Sequence, residues 1–276
     1  MESKKIELSE LQDLYRNSSQ KVRKITLKAE DAEKHYGRYV NFVLRYAQSG
    51  SFLDIGCGSG WSSYLFSQKN MDVRGMDLHE SGYEAPESET LKFEKGDAQN
   101  LKFSDEMFDN VSTNECLEHV PDPELALREM IRVLKPGGHL FIVGPNLLSL
   151  GMSIKALFRY VWMQRPITRV LFRDKDLPYH PLGNTLPEII TYLFKNIFRI
   201  LGKLMSSKPS FIMRVPDLRP PFHADSDSCY LLNPIDLEKF VANHTNLKIV
   251  QSGAIGRPSS LKLVAAGTWI CIQKIK

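Results

Sequence analysis

A chain of 276 residues, with 42% hydrophobic and 25% charged side chains, has the size and mix of one large α/β domain with an elaboration. Four widely spaced cysteines, Cys57, Cys116, Cys229 and Cys271, form no CxxC pair, which excludes a disulfide scaffold and a zinc knuckle. The formal charge of +4 is small but uneven: residues 151–220 carry 12 Lys or Arg against 4 Asp or Glu, so the remainder is net acidic.

The first ten residues, MESKKIELSE, are charged and lack the apolar run of a signal peptide. No stretch reaches the roughly 18 consecutive apolar residues of a membrane-spanning helix, so a cytoplasmic protein is expected. Residues 1–30 read as a helical or partly ordered extension. From Asp31 to Gln48, the spacing of Tyr36, Tyr39, Val40, Val43, Leu44 and Ala47 predicts an amphipathic helix.

Strand and helix signals then alternate. SFLDI, DVRGMDL, LKFEKGDA, FDNVSTN and GHLFIVGPN read as strands, WSSYLFSQK and PELALREMIRVL as helices, and KPGG at 135–138 as a turn. Interleaved elements of this kind predict a parallel sheet covered on both faces. The rhythm breaks from about 146 to 228, which is too long for a connecting loop and predicts a helical lid. After it come NPIDLEKFVANH, a helix with Asn233 as cap and Pro234 at its first position, and two closing strands, LKIVQSG and GTWICIQKI. The expected division is therefore 1–30, a core over 31–145, a lid over 146–228, and a return to the core over 229–276.

Leu53–Gly60, LDIGCGSG, lies between a strand and a helix, where glycines let a ligand approach bare backbone. The third glycine comes one residue too early for the dinucleotide fingerprint GxGxxG. Asp54 is awkward beside a pyrophosphate and suits a ligand with a cationic amino or sulfonium group. Asp77 ends the second strand, where a carboxylate can accept two ribose hydroxyls; its bland reading is a helix cap. Asp97 ends the third strand signal, where it can receive an adenine amino group; its bland reading is a turn aspartate.

LDIGCGSG, GMDL, GDAQNL and FDNVSTNECLEHVPDPELALREMIRVLKPGGHLFIVGPN together resemble the class I methyltransferases that use S-adenosyl-L-methionine (AdoMet). The likeness is nearest to the small-molecule branch that includes ubiquinone-pathway O-methyltransferases. The resemblance implies a Rossmann-like, doubly wound, mostly parallel seven-stranded sheet with the helical insertion before its last two strands. It also implies AdoMet as cofactor. Asp54, Gly56, Cys57 and Gly58 would lie by the methionine moiety, Asp77 and Leu78 at the ribose, and Asp97 with Ala98 at the adenine. Asn114 would face the sulfonium, and Tyr36, beside His35, would lie on a helix closing over the cofactor.

After the fourth strand come Glu115, Glu118 and His119, the candidate catalytic residues. If they begin a helical turn, their i, i+3, i+4 spacing puts all three on one face, where a divalent cation (Mg²⁺, Mn²⁺ or Zn²⁺) can bind and activate a hydroxyl. The pattern is similar to the metal-associated segment of ubiquinone-pathway O-methyltransferases, with His180 or His223 as a candidate further ligand. The competing account makes His119 a packing or general-base histidine and the glutamates helix-start charges.

The expected reaction is in-line methyl transfer to a small or lipid-like acceptor, at a hydroxyl oxygen. N- or C-methylation, a sugar or nucleic-acid acceptor, and a silent AdoMet-fold scaffold are the alternatives. Nucleic acid is disfavoured because no recognition module is present. In the insertion, Ile154, Leu157, Phe158, Val161 and Trp162 form one helical stripe, flanked by Lys155, Arg159 and Arg165. Ile190, Leu193, Phe194, Ile197, Phe198 and Leu201 form a second, accompanied by Lys195, Arg199 and Lys203. Either both pack as a hydrophobic lid, or residues 151–205 make a peripheral contact with an anionic membrane.

Overall fold

Seven of the apolar runs become the strands of one sheet in a computed structural model that describes residues 29–78, 83–163, 186–214, 216, 228–253 and 263–275. The strands are β1 (Ser51–Ile55), β2 (Asp72–Asp77), β3 (Leu91–Lys95), β4 (Phe108–Asn114), β5 (Leu134–Pro145), β6 (Leu247–Gly253) and β7 (Gly267–Lys274). Their spatial order is β3-β2-β1-β4-β5-β7-β6. β1 to β5 run parallel, and β7 is antiparallel to both of its neighbours, β5 and β6. The doubly wound, mostly parallel sheet expected from the sequence is thus present. Strand order reverses between β1 and β4, and in such sheets ligands bind at the carboxyl ends of the strands flanking that point.

Helices α1 (Ala29–Leu44), α2 (Trp61–Ser67), α3 (Pro123–Val133), α4 (Leu150–Met163), α5 (Leu186–Met205) and α6 (Pro234–Ala242) complete the described structure. Successive strand residues face opposite sides, so one sheet builds two cores. Phe52, Val73, Phe141 and Val143 pack with Tyr39, Phe42 and Val43 of α1 and Leu65 and Phe66 of α2. Leu53, Ile55, Leu140 and Ile142 pack with Leu127 and Met130 of α3 and Leu237 and Phe240 of α6. Asn233 caps α6 by accepting from the Asp236 N–H at 3.0 Å, with Pro234 in the first turn as expected. Asp122 caps α3 in the same way through the Leu125 N–H.

One local expectation changes. The KPGG turn is absorbed into β5: Leu134 pairs with Phe108 and the next pair is Asn110 with His139, so Lys135–Gly138 bulge out of the ladder. The expectations for residues 1–28, for His180 and His223, and for Arg165 lie outside the described residues.

α5 packs on α4 and is fastened to α6 by an ion pair removed from water. Lys203 Nζ lies 2.7 and 2.6 Å from the two oxygens of Asp236, with side-chain exposures of 2% and 0%. The same carboxylate accepts from Tyr230 Oη, Asn233 Nδ2 and the Ser210 N–H. Removing one partner of such a pair strands the other charge without compensation. Asp236→Ala should therefore lower stability by about 3–5 kcal/mol, measured by urea unfolding; a loss below about 1 kcal/mol would contradict this account of the insertion's anchor.

Candidate active site

The chain leaves β1 through Gly56 and Gly58, both at positive φ (72° and 54°). The N–H groups of Gly56 and Cys57 donate to the Met76 carbonyl at 2.7 and 3.1 Å, which folds the loop against the end of β2. The two glycines serve different ends. A Cβ on Gly56 would lie 2.4 Å from Cys116 Sγ, whereas a Cβ on Gly58 would meet no atom within 4 Å. Gly56 is required by packing, and Gly58 leaves bare backbone beside open space.

Asp77, half-buried at the tip of β2, accepts from the Gly58 N–H at 2.9 Å, with half-buried Leu78 beyond it. Asp97 follows β3 and accepts from the Gln99 N–H at 2.9 Å, next to buried Ala98. Gln99 Oε1 in turn accepts from the Asp122 N–H, tying this turn to the cap of α3. Half-buried Asn114 ends β4 beside Val143. Tyr36 reaches Ser59 of the loop, and burial raises its pKa, keeping the phenol protonated. His35 meets the Tyr36 ring edge-on but is exposed. Burial, with Asp54 and Asp77 nearby, pushes the Cys57 thiol well above its ordinary range. One strand edge thus brings together the loop, Asp77, Asp97, Ala98, Asn114 and Tyr36.

Asp54 has a different task from the one its sequence position suggests. Its carboxylate, 1% exposed, accepts from Tyr39 Oη (3.1 Å), Ser112 Oγ (2.9 Å), Ser62 Oγ (2.7 Å) and Ser63 Oγ (2.8 Å). Four donors occupy the acceptor sites of a carboxylate. Asp54 therefore braces the loop from beneath, and a bound cation would feel its field without taking a vacant lone pair. These four partners were not singled out in the sequence; the adjacent serines opening α2, directly after a glycine loop, were the available signal.

The Glu115–Glu118–His119 face is also corrected. Glu115 adopts a left-handed backbone (φ 50°) and is exposed, and a short 3₁₀ turn begins only at Leu117. No helical i, i+3, i+4 face forms, and Glu118 is fully buried. Among the described residues no group of three or more His, Cys, Asp or Glu is placed to hold a metal. What does form is a pair: His119 Nε2 stands 3.7 Å from Glu118 Oε1, with the imidazole partly exposed. The Glu118 carbonyl accepts from the N–H groups of Cys229 and Tyr230 at 2.7 and 3.0 Å, so the chain returning from the insertion clamps this turn.

The site fits a nucleoside-bearing cofactor. The buried polar atoms Trp61 Nε1 and Glu84 Oε2 have no hydrogen-bond partner among the described residues. Trp61 opens α2, and the Glu84 N–H donates to the Ser59 carbonyl of the loop. Together, the fold and this edge define a class I AdoMet-dependent methyltransferase.

The methyltransferase domain family matches residues 53–142. Demethylmenaquinone methyltransferase of Staphylococcus epidermidis is 31% identical over 175 residues, covering 60% of this chain and 73% of that protein. Norajmaline N-methyltransferase of Rauvolfia serpentina is 35% identical over 137 residues, but the alignment spans only 47% of its length and 44% of this chain. Among solved structures, the plantazolicin methyltransferase BpumL, determined in complex with a monoazolic desmethylPZN analog and SAH, shares the fold. Its TM-score is 0.53 at 14% identity, covering 96% of this chain and 94% of that one. The chain belongs to the AdoMet-dependent methyltransferases.

The two glycines separate folding from binding. Gly58→Ala should cost about 1–2 kcal/mol of stability for its left-handed backbone, yet weaken S-adenosylhomocysteine binding at least tenfold in calorimetry. Gly56→Ala adds a clash with Cys116 and should be the more destabilising of the two. The opposite order would refute the assignment of open space to Gly58.

Proposed function

We propose that the chain methylates a hydroxyl oxygen of a small or lipid-like acceptor, with His119 as the base. The single observation behind this is the His119–Glu118 pair just beyond β4, at the strand edge that also carries the cofactor loop. Bound AdoMet supplies an electrophilic methyl group on a sulfonium. Asp77 and Leu78 hold the ribose, Asp97 and Ala98 the adenine, and Asn114 lines the sulfonium side. Gly56, Cys57, Gly58 and, through its field, Asp54 frame the methionine part, while Tyr36 closes over the loop from α1.

Methyl transfer requires the acceptor oxygen in line with the carbon–sulfur bond and relieved of its proton as the new bond forms. His119 Nε2 takes that proton, and the buried Glu118 carboxylate stabilises the resulting imidazolium. The resemblance to ubiquinone-pathway O-methyltransferases favours oxygen as the acceptor atom. The likeness to a norajmaline N-methyltransferase supports transfer to nitrogen as a second reading; the same base would serve an ammonium acceptor.

Methyl-deuterated AdoMet offered with panels of phenols, alcohols and amines distinguishes the two by mass spectrometry. Ether products are expected, and labelled amines alone would replace the oxygen reading. On an accepted substrate, His119→Ala should lower kcat by about 10²–10⁴-fold and leave S-adenosylhomocysteine affinity unchanged. Asp77→Ala should do the reverse, weakening the nucleoside by about 1.5–3 kcal/mol. Full activity in His119→Ala would remove the proposed base.

A further inference from the structure

The insertion is built inside out. On α5, Phe194, Phe198, Leu201 and Met205 follow one helical stripe and face solvent, Phe198 at 70% and Met205 at 89% exposure. The opposite face of the same helix buries polar Asn196 (0%) and Lys203 (2%) beside Ile189 and Ile200. α4, packed alongside, exposes Ile154 and Phe158 as well. The stripe of α5 that a lid would turn inward therefore lies largely outside. Single exposed apolar residues need no explanation, but an apolar row along a 20-residue helix, about 30 Å long, does.

The surrounding charge identifies the partner. No Asp or Glu occurs from Ile189 to Pro216, while Lys195, Arg199, Lys203, Lys208 and Arg214 do; α4 also lacks an acid. Lys155 and Lys195 are exposed on the two helices. A second copy of the chain would set two basic surfaces against each other across a two-fold axis, which like-charge repulsion disfavours. An anionic surface with an apolar interior satisfies both features. Nor does α5 cross a bilayer: Lys195, Asn196, Arg199 and Lys203 interrupt it, and no described helix is long and apolar enough to span.

We infer that α4 and α5 dock this face on an anionic phospholipid membrane. α5 lies in the plane of the interface, with its apolar stripe at the acyl boundary and Lys155 and Lys195 among the phosphates. The inference does not depend on which atom is methylated, and its test does not use catalysis.

The full chain is sedimented with vesicles of phosphatidylglycerol and phosphatidylcholine, and with vesicles of phosphatidylcholine alone. Binding to the anionic vesicles that weakens with added salt is expected. Phe194→Ser combined with Phe198→Ser should lower partitioning about tenfold or more. Lys155→Glu combined with Lys195→Glu, both at exposed sites, should lower it selectively on anionic vesicles, by roughly fivefold or more per charge. Retained S-adenosylhomocysteine binding shows that each variant is folded. The inference is overturned if the unaltered chain ignores anionic vesicles, or if it binds them and neither folded pair of substitutions weakens binding. It is equally overturned if light scattering finds a dimer that does not bind vesicles and that the Phe pair converts to monomer, because the stripe then serves a second copy.

Discussion

A buried carboxylate with four hydroxyl donors organises the cofactor half of this protein. Stripping water from Asp54 is costly, and burial accordingly raises its pKa. The compensation comes from Tyr39 on α1, Ser62 and Ser63 on α2, and Ser112 on β4, so four elements converge beneath one loop. With its folded pKa raised, Asp54 contributes most to stability below the unfolded carboxylate value, and that contribution fades as pH rises through the folded one. The position is therefore kept for geometry. Tyr39 fixes the helix that carries Tyr36 over Ser59, and the serines fix the start of α2, leaving the upper side of the loop as exposed backbone.

The acceptor half is assembled from distant parts of the chain. Glu118 and His119 follow β4, yet they are held by Cys229 and Tyr230, which arrive only after the insertion. Tyr230 also donates to Asp236, which binds Lys203 of α5, so one polar chain connects the Glu118–His119 turn to the insertion. The family match ends at residue 142, so it includes Glu118 and His119 but not Cys229, Tyr230 or the insertion.

Much of this was legible because local chemistry decided it. β4 falls where FDNVSTN predicts it, and Asn233 and Pro234 start α6 as their cap geometry requires. The loop, Asp77 and Asp97 stood out in the sequence because strand ends and glycines are local signals. What escaped depended on partners far away in sequence. A serine reads as polar surface until an aspartate 58 residues earlier is seen to need its hydroxyl, as Ser112 shows. The face expected of Glu115, Glu118 and His119 assumed a helix, but Glu115 turns left-handed. The two stripes of the insertion were read correctly as apolar, although periodicity cannot say which side of a helix faces inward. The buried Lys203 decided that, through a partner 33 residues away.

The antiparallel placement of β7 has a consequence for how the molecule is made. β5 pairs with β4 on one side, but its other edge waits for β7, about 120 residues further along. At translation rates of about 5–20 residues per second, that edge emerges roughly 6–24 s before its partner. During this interval Phe141, Ile142 and Val143 sit in a strand with unpaired backbone, the kind of template on which other chains aggregate. The nascent chain is thus most vulnerable while the insertion is being synthesised, and chaperone demand should track the insertion's length more closely than the stability of the finished sheet.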